Sequence, residues 1–436
     1  MKNVLNKIAL TIFCAGFFSN VFASDFNIPF VSASGLGNLY ADWATNTEDS
    51  SNAFTNPAGL TELHHREAII APIGIFGSTQ FQGTTTAPPP PTPLSETGKA
   101  SSRFSGFIPA TYFAFPINNQ FTVGISLNAP FGLGTNYPKN GVQRYQATRT
   151  QVVVADLSPS IGFQVTREFS VGLGVDINRL AYTLNNMVRS PFGGADWESQ
   201  NHLRGYALGW HGGLLYQVLP KTRLGLSFNS MVAFHTTGDS ILFSAFGEAR
   251  TANQKTYARL PARTQFSIHQ DINDRWAVMG TVFYTNWATF HQLTQQRVVV
   301  SPTGATAIIT IPFNFHNTFD YVLGLNFKAT DKVTLKTGIE FMNAPSANHN
   351  RGVADPVAQA TVFGVGAHYQ HNKTSGYDFG IAHSFFIQNT VNVVTPFFTL
   401  TGQNQPQTTV VGLQWTYNFD GDMQKSERVY KGYKDA

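Results

Sequence analysis

Residues able to do covalent chemistry are numerous in this chain but unorganised. Twelve histidines and 25 carboxylates would suffice for a hydrolase, yet no HExxH helix, GxSxG elbow or Walker loop occurs. Gly172-Leu173-Gly174 and Gly364-Val365-Gly366 look like fragments of a dinucleotide loop. Both stand inside runs of alternating apolar and small residues, so they read as small side chains on one face of a strand. His64-His65 offers two imidazoles with no third ligand at useful spacing. The single cysteine, Cys14, falls in the export segment described next, which leaves the mature chain no disulfide or thiolate metal site. The sequence therefore points to no enzyme, no metal and no cofactor.

The elements that carry these residues are more telling. Lys2 and Lys7 precede an apolar stretch, Ile8 to Phe18, and Val21-Phe22-Ala23 has the small residues of a signal-peptidase site. Residues 1–23 read as a cleaved secretory signal, because the apolar stretch is well short of the ~20 residues a spanning helix requires. Charged residues are 12% of the chain, about half of the roughly 25% usual in soluble proteins. Aromatics reach 13%, glycines number 38 and the formal charge is +4. No basic stripe is present to neutralise phosphates, which argues against a nucleic-acid partner.

Alternation with a period of two dominates the mature chain. Phe169, Val171, Leu173, Val175 and Ile177 alternate with Ser170, Gly172, Gly174 and Asp176, and Val411, Leu413, Trp415, Tyr417 and Phe419 alternate with Gly412, Gln414, Thr416 and Asn418. The small polar face suits a crowded lumen, and aromatics such as Trp276 and Tyr284 cap strand ends. Strands are predicted near 66–82, 103–116, 119–130, 149–165, 168–185, 203–219, 221–236, 263–271, 274–287, 316–329, 331–342, 359–371, 376–386 and 408–419. Every second gap is short, and the gaps between (83–102, 131–148, 186–202, 237–262, 288–315, 343–358, 387–407) are long. An even number of strands with short turns on one rim and long loops on the other is the pattern of an outer-membrane barrel. The expected fold is all-β: a fourteen-stranded antiparallel transmembrane β-barrel over 66–419, an N-terminal hatch of short helices at 24–65 and a solvated periplasmic tail at 420–436.

Pro130 ends the alternating run Phe121, Val123, Ile125, Leu127. Proline lacks the N–H that a central strand donates, and an unpaired ladder group in hydrocarbon costs several kcal/mol. Pro130 therefore marks either a strand end or a local break in the wall, a lateral opening through which an apolar solute could leave. Phe131, Leu133 and Tyr137 just beyond it would offer an apolar loop surface.

Ser34-Gly35-Leu36-Gly37, Glu48-Asp49 and Asn56-Pro57-Ala58-Gly59-Leu60 resemble the hatch of the FadL family of long-chain fatty acid and hydrocarbon channels. Pro130-Phe131-Gly132-Leu133-Gly134-Thr135, Arg144-Tyr145-Gln146-Ala147, Asp156 to Ser160, Thr222 to Phe228, Leu260-Pro261-Ala262 and Trp287 to Phe290 fit the same family in order and spacing, from about Asp25 to Phe419. The resemblance implies passive uptake of hydrophobic compounds across the bacterial outer membrane, long-chain fatty acids foremost. Capture by extracellular loops would be followed by binding in a lumenal pocket and lateral exit near the third strand. It implies Phe26 and Phe30 at the pocket, Asn56, Pro57 and Ala58 holding the hatch, Phe131 and Leu133 at the outer groove and Pro130 at the opening. Candidate lumenal cations for a carboxylate are Arg179, Arg223 and Lys336, the last facing inward with Glu340, with which it reads as a structural ion pair. The implied partners are the hydrophobic ligand, outer-membrane lipid and the barrel-assembly machinery, with the protein acting as a monomer. The rival readings are a channel for aromatic or alkane hydrocarbons, an adhesin-like surface barrel and a general porin, whose acidic constriction loop and charged lumen are not found.

Overall fold

The computed structural model describes residues 27–346, 351–356 and 358–420; the export segment, Phe26 and the tail beyond Asp420 lie outside the described residues. Nineteen strand segments form one antiparallel sheet. The first six are β1 (Glu67–Ala87), β2 (Leu94–Pro116), β3 (Phe121–Asn136), β4 (Arg149–Gln164), β5 (Phe169–Val188) and β6 (Trp197–Leu219). Next come β7 (Thr222–Asn229), β8 (Val232–Ser244), β9 (Gly247–Leu260), β10 (Arg263–Asp271), β11 (Trp276–Thr285), β12 (Gln292–Val299) and β13 (Thr306–Pro312). The last are β14 (Thr318–Lys328), β15 (Val333–Met342), β16 (Ala360–Gln370), β17 (Ser375–Phe386), β18 (Asn389–Val394) and β19 (Thr399–Asn418). Five membrane strands are interrupted, at β7/β8, β9/β10, β11/β12, β13/β14 and β17/β18, so the segments make fourteen crossings. β1 pairs with both β2 and β19 and closes the cylinder, leaving no sheet edge at the seam.

The barrel is inverted relative to a soluble protein. Leu173 is 55% exposed and Leu208 71% exposed on the outer face, while Asp156, Ser158 and Ser160 on the alternate face are buried. Short turns close the lower rim through asparagine side chains: Asn118, Asn273 and Asn372 each accept backbone N–H bonds at 2.9–3.0 Å from residues two and three further on.

All fourteen predicted strands are present, but the long gaps are shorter than the sequence suggests. β1 and β2 stay paired up to Ala87↔Leu94, and β5 and β6 up to Val188↔Trp197. Above the lipid band both faces of a strand meet water or polar loops, so Thr, Ser and Gln replace the apolar alternation that identifies a strand.

The N-terminal segment fills the lumen. Helix α1 (Ala33–Gly37), helix α2 (Asn52–Thr55) and a 3-10 helix (Pro57–Glu62) are buried along almost their whole length. Their bed is three rows of glycine, each row running across three paired strands. Gly366, Gly380 and Gly412 face α1, Gly324, Gly338 and Gly364 face Asn38 to Ala41, and Gly162, Gly172 and Gly213 face Asn56 to Ala58. A Cβ at Gly380 would lie 2.8 Å from the carbonyl oxygen of Ala33, and one at Gly172 would collide with the Ala58 amide. This accounts for the two Gly-x-Gly fragments: Gly172, Gly364 and Gly366 admit the hatch, and Gly174 leaves room for the His211 ring.

Overpacking of this kind costs about 1–3 kcal/mol. Gly380→Val is expected to leave the barrel formed, as read by heat-modifiable gel mobility, while raising hydrogen exchange at the Ala33–Gly37 amides by roughly tenfold or more. Unchanged exchange would show that the glycine bed does not seat the hatch.

Candidate ligand site and lateral gap

The hatch is tied to the wall by polar contacts as well as by fit. Asn56 accepts from the Ala58 N–H at 3.1 Å, capping the 3-10 helix, and its Nδ2 donates to the carbonyls of Ala44 (2.6 Å) and Leu214 (3.1 Å). Pro57 follows at the first helical position, where its missing N–H leaves nothing unpaired. His211 on β6 donates from Nε2 to the Ala53 carbonyl at 2.9 Å, with Nδ1 2.5 Å from Asp176 Oδ1. Lys336 on β15 is buried and reaches Ser34 Oγ at 2.9 Å and Glu48 Oε2 at 3.2 Å. Its partner is the hatch carboxylate Glu48, which the sequence could not pair with it. Burial pushes the neighbouring Asp42 carboxyl above its ordinary range, against the pull of Lys336.

The ladder between β2 and β3 stops part-way up the wall. β2 and β3 pair from Pro116↔Thr122 up to Thr111↔Leu127 and no further. β3 continues to Asn136, paired only with β4, and its register shifts between Asn128 and Phe131, around Pro130. Pro130 is thus neither a strand end nor a loop base: it sits inside β3 at a bulge. The segment before α1 covers part of the free edge, with the Ile28 N–H donating to the Pro130 carbonyl at 2.9 Å and Asn27 bridging to Phe131. At the upper end the Asn136 N–H donates to Ser102 Oγ at 2.8 Å, beside a cavity of about 500 Å³ lined by Ser101, Arg103, Asn136, Tyr137 and Pro138.

An apolar cluster lies inside this gap. Phe131 (6% exposed) and Leu133 (1% exposed) pack with Val154, Leu180, Phe234, Leu260, Trp287, Phe290 and Phe315. The interruptions in four successive crossings supply the far side. Asn229 of β7 pairs with Arg263 of β10, Arg263 with Thr285 of β11, and Thr285 with Thr318 of β14, so all four strands break just above one level. The freed chain turns inward there and brings Trp287, Phe290, Phe313 and Phe315 into mutual contact. Pro261 has no N–H to give a ladder, which accounts for the β9/β10 break.

Immediately after that break stands a buried cation, Arg263 (2% exposed). Its guanidinium lies 5.4 Å from the Phe131 ring centroid and 5.8 Å from that of Trp43, and Nη1 donates to Asn27 Oδ1. One side chain therefore joins the segment before α1, the hatch and the bulged strand β3. Sequence reasoning passed over it, although Arg263 shares parity with the inward polar residues Gln265, Ser267 and His269.

Several expectations need correction. Phe131 and Leu133 are not on an outer groove but inside the lumen. Phe30 is buried with Ile28, Val31 and the hatch–wall core, in a different cluster from Phe131. Arg179 is not lumenal: it shares the outward parity of Leu173, Val175 and Ile177 and pairs across to the exposed Tyr206. Arg223 faces inward but only two residues above the Pro220-Lys221 turn, at the lower rim and below the hatch. Phe26 lies outside the described residues. Among the described residues no cluster of His, Cys, Asp and Glu is arranged to hold a metal ion, and His65 instead contacts Glu67 at 3.1 Å.

The profile of the family described as "Outer membrane protein transport protein (OMPP1/FadL/TodX)" matches residues 15–419. The chain belongs to this family. Its members are outer-membrane transport proteins and not enzymes, and this FadL-family chain is a hydrophobic-compound transporter of the outer membrane. It is 25% identical over 423 residues to the long-chain fatty acid transport protein of Escherichia coli K12, covering 88% of this chain and 92% of that one. It is 25% identical over 400 residues to outer membrane protein P1 of Haemophilus influenzae, covering 83% and 86%. The crystal structure of a Pseudomonas aeruginosa FadL homologue superposes with a TM-score of 0.81 at 21% identity, covering 91% of this chain and all of that one. The Ralstonia pickettii toluene transporter TbuX superposes with a TM-score of 0.64 at 16% identity, covering 89% and 98%.

The long-loop end of this transporter is capped by a separate apolar cluster that includes Phe81, Tyr137, Val142, Val353, Val391 and Leu400. Asp355 is buried beside it, and burial pushes its carboxyl from the ordinary 3.8 up to about 8. The packed loop thus holds the proton more tightly than the released loop. The stabilisation is complete below about pH 4 and is lost as pH rises toward 8. Protease cleavage within 351–356, compared between wild type and Asp355→Asn at each pH, is expected to match near pH 3.5 and to be at least tenfold faster in wild type at pH 8.5. Equal rates at both pH values would remove Asp355 from the packing of the cap.

Proposed function

We propose that this chain carries long-chain fatty acids passively through its lumen and releases them sideways through the β2–β3 gap into the outer leaflet. The observation that supports an acid over a neutral hydrocarbon is Arg263, a cation held among aromatic side chains at the inner mouth of the gap. A methylene gains about 0.8 kcal/mol on leaving water, so an acyl chain favours a route that stays apolar from cluster to bilayer. A carboxylate arriving beside Arg263 would replace the Asn27 amide oxygen with a charged acceptor, a stronger hydrogen bond for the same donor. Displacing Asn27 loosens the segment that also occupies the Pro130 carbonyl. Ligand binding and uncovering of the gap are thereby one event, and no energy source is needed beyond the gradient. Asn56, Pro57 and Ala58 keep the hatch seated while only the segment before α1 moves.

The toluene transporters among the structural relatives make neutral hydrocarbons the alternative, and one experiment separates the two. Purified wild type, Arg263→Met and Arg263→Lys are titrated with oleate and with hexadecane. A hydrogen bond to a charged partner is worth about 1.5–3 kcal/mol, so Arg263→Met is expected to weaken oleate binding by roughly 10- to 100-fold. Arg263→Lys should recover most of it, and hexadecane affinity should be unchanged. Equal losses for both ligands, or none for oleate, would favour the hydrocarbon reading.

A further inference from the structure

The outer surface carries a basic patch that ligand passage through the lumen does not use. Arg149 on β4, Arg179 on β5, Arg204 on β6, and Lys255 and Arg259 on β9 all point away from the lumen. Arg204 pairs with Thr237, and Thr237 with Lys255, so these two cations share one row two strands apart, about 10 Å at the usual strand spacing. Arg179 pairs with Tyr206, two residues below Arg204. Arg259 lies two residues below Tyr257 and reaches up to it, Nε donating to the Tyr257 hydroxyl at 2.6 Å, as a cation at a membrane interface does. Among the described residues none of the five pairs with a carboxylate. The nearby acids are already taken, Asp239 by Arg250 at 3.4 Å and Glu198 by Lys139 at 2.6 Å.

The height of the patch fixes what it meets. On β6 the exposed apolar run extends from Tyr216 near the lower rim through Leu214, Trp210 and Leu208 to Tyr206. At ~3.3 Å per residue and a tilt of about 40° that run is roughly 25 Å tall, the height of the lipid band. The cations begin where the acyl chains end, at the level of the outer headgroups. At the same end of β1 and β19 the outward residues are Gln80, Gln82, Gln403, Gln405 and Gln407, and on β2 two cations, Lys99 and Arg103, face outward.

We infer that strands β4 to β9 form a docking surface for a phosphate-bearing lipid of the outer leaflet, its acyl chains on Leu173, Val175, Ile177 and Leu208 and its phosphates on Arg179, Arg204 and Lys255. Charge complementarity and continuity with the apolar band both specify an anionic amphiphile and not a soluble anion. Such a lipid would orient the barrel and hold the wall on the β4 side of the gap.

The test uses the protein in zwitterionic lipid nanodiscs, with bound lipid counted by native mass spectrometry. The probes are a bisphosphorylated glucosamine-disaccharide lipid, its dephosphorylated form and inorganic phosphate. Wild type is expected to bind the bisphosphorylated lipid at least tenfold more tightly than the dephosphorylated one, with millimolar phosphate failing to compete. The triple variant Arg179→Gln/Arg204→Gln/Lys255→Gln should lose that preference, and Arg204→Gln alone should lose about threefold, while both keep wild-type oleate binding. The inference is overturned if the triple variant keeps the preference, if the dephosphorylated lipid binds equally well, or if free phosphate displaces the lipid.

Discussion

In a bilayer every backbone N–H and C=O of a barrel wall has to find a partner in the protein, because hydrocarbon offers none. The wall meets that demand by strand pairing over most of its circumference, but along β3 above Leu127 β2 is no longer paired. The rest of the molecule is arranged about this exception. Pro130 places a residue with no N–H at the bulge. The segment before α1 supplies the Ile28 N–H to the Pro130 carbonyl. Phe234, Leu260, Trp287, Phe290 and Phe315, from four interrupted crossings, line the space behind it, and Arg263 fastens the covering segment from inside.

A second constraint follows from the first. Closing the gap from within requires that the N-terminal segment sit deep in the lumen, and a lumen lined by ordinary side chains has no room for it. The three glycine rows remove those side chains where α1, the turn after it and the 3-10 helix lie. Charge and hydrogen bonding then fix the hatch in register, through Lys336 to Glu48, His211 to Ala53 and Asn56 to both Ala44 and Leu214. Steric fit is spread over many strands, whereas the contact at Asn27 is local, so the segment before α1 is the part able to yield without unseating the rest.

Much of this was legible in the sequence, for a physical reason. Lipid on one side and a polar lumen on the other impose strict alternation, so the membrane-crossing part of each strand can be read directly. Where strands rise beyond the lipid, as in Gln80 to Thr86 against Ser95 to Ser101, that pressure disappears and strand looks like loop. Parity would have corrected Arg179, which follows Leu173, Val175 and Ile177 on the lipid side, and would have found Arg263 beside Gln265 and Ser267. The partner of Lys336 was not legible: Glu48 is remote in sequence and meets it only because the hatch folds into the barrel. Nor could the inward turn of Phe313 and Phe315 be read, since it depends on four strands breaking at a common level.

The central claim is that the lumen is stoppered by the hatch and that the route through this protein is lateral. The most direct measurement is the ionic conductance of single purified barrels in a planar lipid bilayer. A conductance near the noise is expected for the intact chain, and large, ohmic steps once residues 27–62 are removed. Open-pore conductance from the intact chain, or a closed barrel after the deletion, would contradict it.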